Sequence, residues 1–195
     1  MPRLDFGNSR WSNPAQLPLA RFVCGFCSTT VSSIAGWYTG GPAANGHQSY
    51  LYVCPECQGP ILRQGPIQFP TAAFGSAVAH VPADLNALFE EARTCTSANA
   101  FTAAALIYRK MLMNIAVKEG AKEGLKFIDY VDHLATKGFV PPNGRHWVDH
   151  IRKRGNEATH EIALMGEADA KELVGFVEML LRFIYEFPNL IPKGP

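Results

Sequence analysis

Cys24-Gly25-Phe26-Cys27 and Cys54-Pro55-Glu56-Cys57-Gln58-Gly59 decide how the first third of this 195-residue chain folds. Two residues between thiolates let one tight turn present both sulfurs to a single ion. Two such turns complete the tetrahedral set of sulfurs that zinc takes at about 2.3 Å. The spacing therefore predicts that Cys24, Cys27, Cys54 and Cys57 hold one structural zinc per chain. Glycine beside the cysteines lets backbone N–H groups turn toward the sulfurs. The 26 residues between the pairs exceed the usual span of a compact four-cysteine site, about 15–20. A hairpin with an inserted loop from Gly36 to Gln48 accounts for the excess. Two alternatives use the same cysteines: free or disulfide-linked pairs, and a thioredoxin-like redox site. The redox site needs a single CxxC in a βαβ pattern, which this stretch lacks. The fifth cysteine, Cys95, falls on a predicted helix and reads as a small buried hydrophobe.

Around these motifs the chain is poor in charge and rich in proline. Residues 1–80 hold six of the 35 charged side chains, and nine of the 14 prolines lie at or before Pro82. Proline removes a donor and breaks helices, so this part reads as short strands. They are Arg21-Phe22-Val23, Gly36-Trp37-Tyr38-Thr39 and Ser49-Tyr50-Leu51-Tyr52-Val53, each rich in aromatic or β-branched residues. Trp37, Tyr38, Tyr50 and Tyr52 either cover the small core of a ribbon or stack on exposed bases. Only Arg21 and Arg63 flank them to attract phosphate. Residues 1–20 read as a flexible arm, 21–64 as the zinc ribbon and 65–82 as a linker, with no internal repeat or low-complexity tract.

Hydrophobic residues make up 47% of the chain and charged ones 18%, with a net charge of +1. These values exclude general disorder and a global basic field. No apolar run approaches the ~20 residues needed to cross a bilayer, so no membrane partner is expected. The opening residues, MPRLDFGNSRWSNPAQLP, have no apolar central stretch, so a cytoplasmic location is expected. That compartment favours metal over disulfides.

The remainder carries amphipathic patterns and reads as five helices: from Ala83 to about Cys95, then 99–118, 123–136, 145–160 and 167–187. Gly138 with Pro141 and Pro142 separates the third from the fourth, and Pro188 closes the last. The bundle spans 83–187 and a tail 188–195. The second and fifth helices are apolar nearly all round, as at Leu106, Ile107 and Met111 or Phe176, Phe183 and Phe187. Such a helix is buried on every side or covered by another subunit, which predicts a homodimer through the bundle.

Residues 146–161 concentrate basic and histidine side chains. At about 100° per residue, positions i, i+4 and i+8 stay on one face, so Arg152, Asn156 and His160 form a polar row that His146 and His150 roughly continue. Two readings fit this row. One is a solvated helix face with His160 in a polar contact to a neighbouring helix. The other is RNA cleavage without metal: histidine moves protons, arginine neutralises phosphate and asparagine orients them. His146 and His150 have a chelating spacing but lack an adjacent glutamate and a third ligand. His47, His80 and His133 stand alone. No GxGxxG, Walker loop, GxSxG elbow or pair of catalytic carboxylates occurs.

Several stretches then fall into a familiar order: the four-cysteine ribbon, ValProAlaAspLeuAsnAlaLeuPheGluGluAlaArg (81–93), AlaPheThrAlaAlaAlaLeuIleTyrArgLysMetLeu (100–112), LeuAlaThrLysGlyPheVal (134–140) and IleArgLysArgGlyAsnGluAlaThrHis (151–160). The chain resembles the bacterial domain-of-unknown-function family numbered forty-one forty-five, which is grouped with the HEPN superfamily of helical-bundle proteins. Arg152, Gly155, Asn156 and His160 carry the most specific part of that resemblance. It implies an α+β chain: a small N-terminal β zinc ribbon followed by an all-α HEPN-like bundle of about five helices that dimerises. It also implies a role in bacterial antiviral defence, with RNA, DNA or proteins of a defence system as partners. Active members of the superfamily are metal-independent endoribonucleases in which four to six residues separate an arginine from a histidine, commonly with a polar residue directly after the arginine. If Asn156 fills the polar slot here, Gly155 stands where the arginine would be, and Arg154 and Arg152 are the nearest substitutes. The candidate catalytic set is thus Arg152, Arg154, Asn156 and His160. The competing reading is a non-catalytic binding or scaffolding module, and a third is a DNA-recognition accessory led by the ribbon.

Overall fold

In the computed structural model, which describes residues 10–13, 16–140 and 164–190, the chain is α+β and divides into two compact units. The first comprises Met1–Ala73 with Thr96–Asn99, the second Phe74–Cys95 with Ala100–Pro195.

The first unit is built of short strands: β1 (Trp11–Ser12), β2 (Ala20–Val23), β3 (Thr30–Ser33), β4 (Gly36–Thr39), β5 (Ser49–Val53), β6 (Pro60–Gln64) and β7 (Ile67–Phe69). Five of them make an antiparallel sheet in the order β1-β4-β5-β6-β7, and β2 with β3 makes a separate hairpin. Within the stretch read as an arm, Trp11 pairs with Thr39, and Leu17 is buried with its N–H on the Ile34 carbonyl at 2.7 Å. Within the stretch read as a linker, Ile67–Phe69 pairs with β6. Pro60 heads β6, a first-strand position where proline is tolerated.

Side chains alternate across a strand, so Tyr50 and Tyr52 share a face of β5. The register sets them against Arg63 and Ile61 of β6. Leu17, Phe22, Tyr52 and Ile61 are buried there together with Cys24 and Cys54, and the Phe22 and Tyr52 rings lie 5.9 Å apart. Of the four aromatics, Tyr52 belongs to this core, Tyr38 and Tyr50 pack against it, and Trp37 is exposed.

Among the described residues four longer helices follow: α1 (Ala83–Ser97), α2 (Phe101–Lys118), α3 (Phe127–Thr136) and α4 (Glu167–Leu181). In the second unit α2 packs against α3 and α4. Phe89 of α1, Tyr108, Met111, Leu112 and Ile115 of α2, Val131 and Leu134 of α3 and Phe176 and Leu180 of α4 close one core. α3 and α4 begin alike: the carboxylates of Asp129 and Asp169 accept the N–H groups of Lys126 and Gly166 at 3.2 and 2.8 Å, each satisfying a donor at the helix start. The expectation of helices apolar all round resolves into faces. Ala104, Tyr108, Leu112 and Ile115 are buried, whereas Leu106 is 61% exposed, Phe183 44% and Phe187 42%.

Arg93 is buried and donates to the carbonyls of Phe74 and Gly75 at 3.3 and 3.2 Å and to Glu90 at 2.7 Å. Beyond it, the N–H groups of Ser76 and Ala79 bond the carboxylates of Glu178 and Glu186, which Arg182 bridges at 2.8 and 2.6 Å. Helical structure does not stop at Pro188 as its sequence position suggests. A π-helical turn, Arg182–Glu186, follows α4, and Phe187–Leu190 continues as a final turn. The Phe187 N–H bonds the Arg182 carbonyl, five residues back. This shift in register spans Ile184, whose carbonyl a proline at position 188 would crowd in a regular helix.

The expected helix 145–160 lies outside the described residues, and with it Arg152, Arg154, Asn156, His160, His146 and His150. Among the described residues, no helix is long and apolar enough to cross a membrane.

Candidate metal centre

The two cysteine pairs sit on two equivalent turns. The first joins β2 to β3 and the second β5 to β6. In one, the Cys24 N–H bonds the Thr29 carbonyl at 3.0 Å and the Ser28 N–H bonds the Cys24 carbonyl at 2.9 Å. In the other, Cys54 N–H to the Gly59 carbonyl and Gln58 N–H to the Cys54 carbonyl repeat those distances. Ser28 and Gln58 both take left-handed backbone, at φ 59° and 60°. The structure thus contains a short local repeat at an offset of 30 residues, carried in the sequence by Val23-Cys24-x-x-Cys27 and Val53-Cys54-x-x-Cys57.

The left-handed position that closes each turn falls on Ser28 and Gln58, not on glycine. The glycines make room instead. A Cβ on Gly25 would stand 2.5 Å from the Thr71 carbonyl oxygen, and one on Gly59 would stand 2.6 Å from the Phe26 ring. Phe26 of the first turn therefore lies against the second.

All four sulfurs fall within 4.8 Å of one another, a group that could hold a metal ion such as zinc. Cys24 Sγ is 3.6 Å from Cys57 Sγ, and Cys27 Sγ is 3.9 Å from Cys54 Sγ. A tetrahedral ion with sulfurs at about 2.3 Å sets them about 3.8 Å apart, so the residues fit the group. The same distances exclude disulfides, whose S–S bond is about 2.05 Å, and all the cysteines are free. Cys24 and Cys54 are fully buried, Cys27 is half-buried and Cys57 exposed. The Phe26 N–H points to Cys24 Sγ at 3.4 Å, a donor placed to spread thiolate charge.

Without metal the thiols differ. Burial pushes Cys24 up to about 12 and raises Cys57 as well. Burial also pushes Cys27 up, but bonds from the Thr29 backbone and side chain, with the neighbouring Cys24 and Cys57 thiols, outweigh it and bring Cys27 down to about 7. Cys95 is half-buried against the helical core, with its thiol raised by burial and by Glu91.

The structure brings the four cysteines together. The other candidate set, Arg152, Arg154, Asn156 and His160, lies outside the described residues. Of the isolated histidines, His133 Nε2 meets the Glu119 carbonyl at 3.1 Å. His47 sits at the edge of a cavity in the first unit. No curated protein and no solved structure matches the chain. The family model described as "Domain of unknown function (DUF4145)" matches residues 90–193. The cysteine cluster lies outside that match, which covers the end of α1, all of α2, α3 and α4, and the Arg152–His160 row. With more than half of its length matched, the chain belongs to the DUF4145 family.

Proposed function

We propose that Cys24, Cys27, Cys54 and Cys57 hold one structural zinc, and that the protein is a zinc-ribbon-bearing, HEPN-like member of its family serving as a binding module in a nucleic-acid-linked process such as bacterial defence. The tetrahedral sulfur spacing carries the zinc part of this reading, and the role rests on the resemblance. Four thiolates leave no coordination position for water, so the ion's chemistry is to crosslink the two turns. Protein purified without chelator is expected to contain about one zinc per chain, with the four cysteines slow to alkylate until the metal is removed. Metal-free protein with four rapidly alkylated thiols and an intact ribbon spectrum would refute it.

A second, enzymatic reading rests on the Arg152, Asn156 and His160 row with Arg154, all within the family match. In it the bundle dimerises over open apolar side chains such as Phe183 and Phe187, whose rings meet edge to face at 5.5 Å. His160 moves the proton of an RNA 2′-hydroxyl or leaving oxygen while arginine neutralises phosphate. Dimer-sized sedimentation at micromolar concentration and RNA cleavage without added divalent metal are expected. His160→Ala should cut cleavage by about 10²–10⁴-fold at an unchanged melting temperature. RNA left intact from acid to alkaline pH would return the row to the non-catalytic module.

A further inference from the structure

Beyond the metal centre, the geometry points to a nucleotide-binding pocket on the first unit, in which arginines receive a phosphate ester and Tyr50 faces the attached ring. The cavity measures about 430 Å³ and is lined by Arg21, His47, Gln48, Tyr50, Tyr52 and Arg63, among others. That volume lies in the range of small-molecule sites, about 300–1,000 Å³.

One donor on its wall is unanswered. Arg63 Nε is buried and has no hydrogen-bond partner, and no ion pair involves Arg63 among the described residues. A buried guanidinium N–H without an acceptor costs free energy, and the same side chain lines the cavity. Among the described residues of the first unit, carboxylates are scarce. Between residues 10 and 80 the only carboxylate is Glu56. It stands in the cysteine turn at one end of the β5–β6 hairpin, whereas Arg63, paired with Tyr50, is at the other end. Arg21 adds a second guanidinium at the rim. Two arginines and a histidine around one cavity suit a doubly charged phosphomonoester better than a single carboxylate.

Another part of the lining, Gly46, His47 and Gln48, comes from the loop that lengthens the spacing between the cysteine pairs. Asn45 Nδ2 donates to Gln64 Oε1 at 3.0 Å, and buried Gln64 donates in turn to Ser49 Oγ at 2.7 Å. The His47 N–H bonds Asn45 Oδ1 at 3.0 Å, and the His47 carbonyl accepts the Ala43 N–H at 2.9 Å. The His47 ring lies over Gly65, which has φ +56° and where a Cβ would come within 2.9 Å of the ring. This network fixes His47 at the cavity, while Gln48 Nε2 donates to the Thr39 carbonyl of β4 at 2.6 Å. The floor is aromatic. Tyr52 spends its hydroxyl on the Pro18 carbonyl at 3.0 Å, and Tyr50 stacks on it at 5.7 Å and 28°. Half-buried Tyr50 gives a planar ligand a face to lie on.

The phosphorylated nucleotide could be free or the 5′ end of a strand, and the test separates the two. Zinc-loaded full-length protein would be titrated with AMP, adenosine, inorganic phosphate and an RNA tetranucleotide with and without a 5′-phosphate, followed by calorimetry and amide NMR. AMP is expected to bind at least about tenfold tighter than adenosine, shifting Tyr50 and Arg63 signals. A phosphorylated tetranucleotide much tighter than AMP assigns the pocket to strand ends; equal or weaker binding assigns it to free nucleotides. Arg63→Gln should weaken AMP at least about tenfold at unchanged zinc content. If Arg63→Gln does not fold, Arg21→Gln and His47→Ala, both exposed, should each weaken it severalfold. Equal affinity for AMP and adenosine, no binding of any probe, or folded variants with wild-type affinity would overturn the assignment. No metal ligand takes part, so its failure leaves the zinc reading untouched.

Discussion

Replacing Cys24 or Cys54 with serine, or stripping the metal with a chelator, is expected to unfold the first unit. Its core is small. Leu17, Phe22, Tyr52 and Ile61 are its large buried apolar side chains, and the other buried members are Ala20 and the two cysteines themselves. Four such side chains, at about 1.5–3 kcal/mol each, do not order a unit that only reaches the roughly 70–80 residues at which a core alone begins to suffice. Structural zinc brings about 10–16 kcal/mol in comparable small folds, more than any other single interaction available here. Loss of near-ultraviolet dichroism and of dispersed amide signals from β5 and β6, in step with zinc release, would establish the dependence. A Cys24→Ser protein that keeps those signals at wild-type melting temperature would end the structural-zinc account.

The same centre should respond to acid with a definite sign. Once the metal is stripped and the unit unfolds, its thiols keep their protons below the ordinary thiol range, about 8.5. Metal binding displaces these protons, so each thiol protonated in the free state lowers affinity about tenfold per pH unit of acidification. The stability conferred by the ion is therefore present at and above neutral pH and lost as pH falls.

What could be read in advance follows from how each feature is encoded. The cysteine turns were legible because ligand chemistry dictates both residue type and spacing. β4 and β5 were legible because Trp37, Tyr38, Tyr50 and Tyr52 mark them. β3 was not: of Thr30-Val31-Ser32-Ser33 only Ser33 is buried, so no apolar alternation announces the strand. β6 begins with proline and ends in Arg63 and Gln64, and its buried polar end makes sense only once Ser49 and Asn45 are seen beside it. The local repeat was hidden because the turns share only Val-Cys-x-x-Cys. Their left-handed residues are Ser28 and Gln58, where no glycine flags the conformation. Pro188 misled because its usual effect assumes a regular helix before it, and the π-helical turn removes that assumption. The pocket's aromatics were visible but its site was not, since His47 reaches it only through the Asn45–Gln64 link across the sheet.

In the second unit the largest single effect is expected at Phe89. Its ring is wholly buried, tilted at 58° to Tyr108 with centroids 6.2 Å apart, and the Arg93 guanidinium lies 6.0 Å from its centroid. Phe89→Ala removes apolar surface and leaves a cavity between rigid neighbours, a change that costs about 3–5 kcal/mol. At roughly 4–8 °C per kcal/mol for a unit near 100 residues, the melting temperature should fall by at least about 12 °C. Tyr108→Phe, at the adjacent ring, is expected to behave oppositely. Tyr108 is also fully buried, but its hydroxyl has no hydrogen-bond partner among the described residues, and burial pushes its ionisation well above the usual tyrosine range. Deleting an unpaired buried hydroxyl while keeping the ring removes a desolvation cost and leaves packing intact, so the variant should match or exceed wild-type stability. Thermal melts of the two variants side by side separate shape from polarity: a large loss at Tyr108→Phe would reveal a partner for that hydroxyl, and a small loss at Phe89→Ala would mean that α1 is not held by this core.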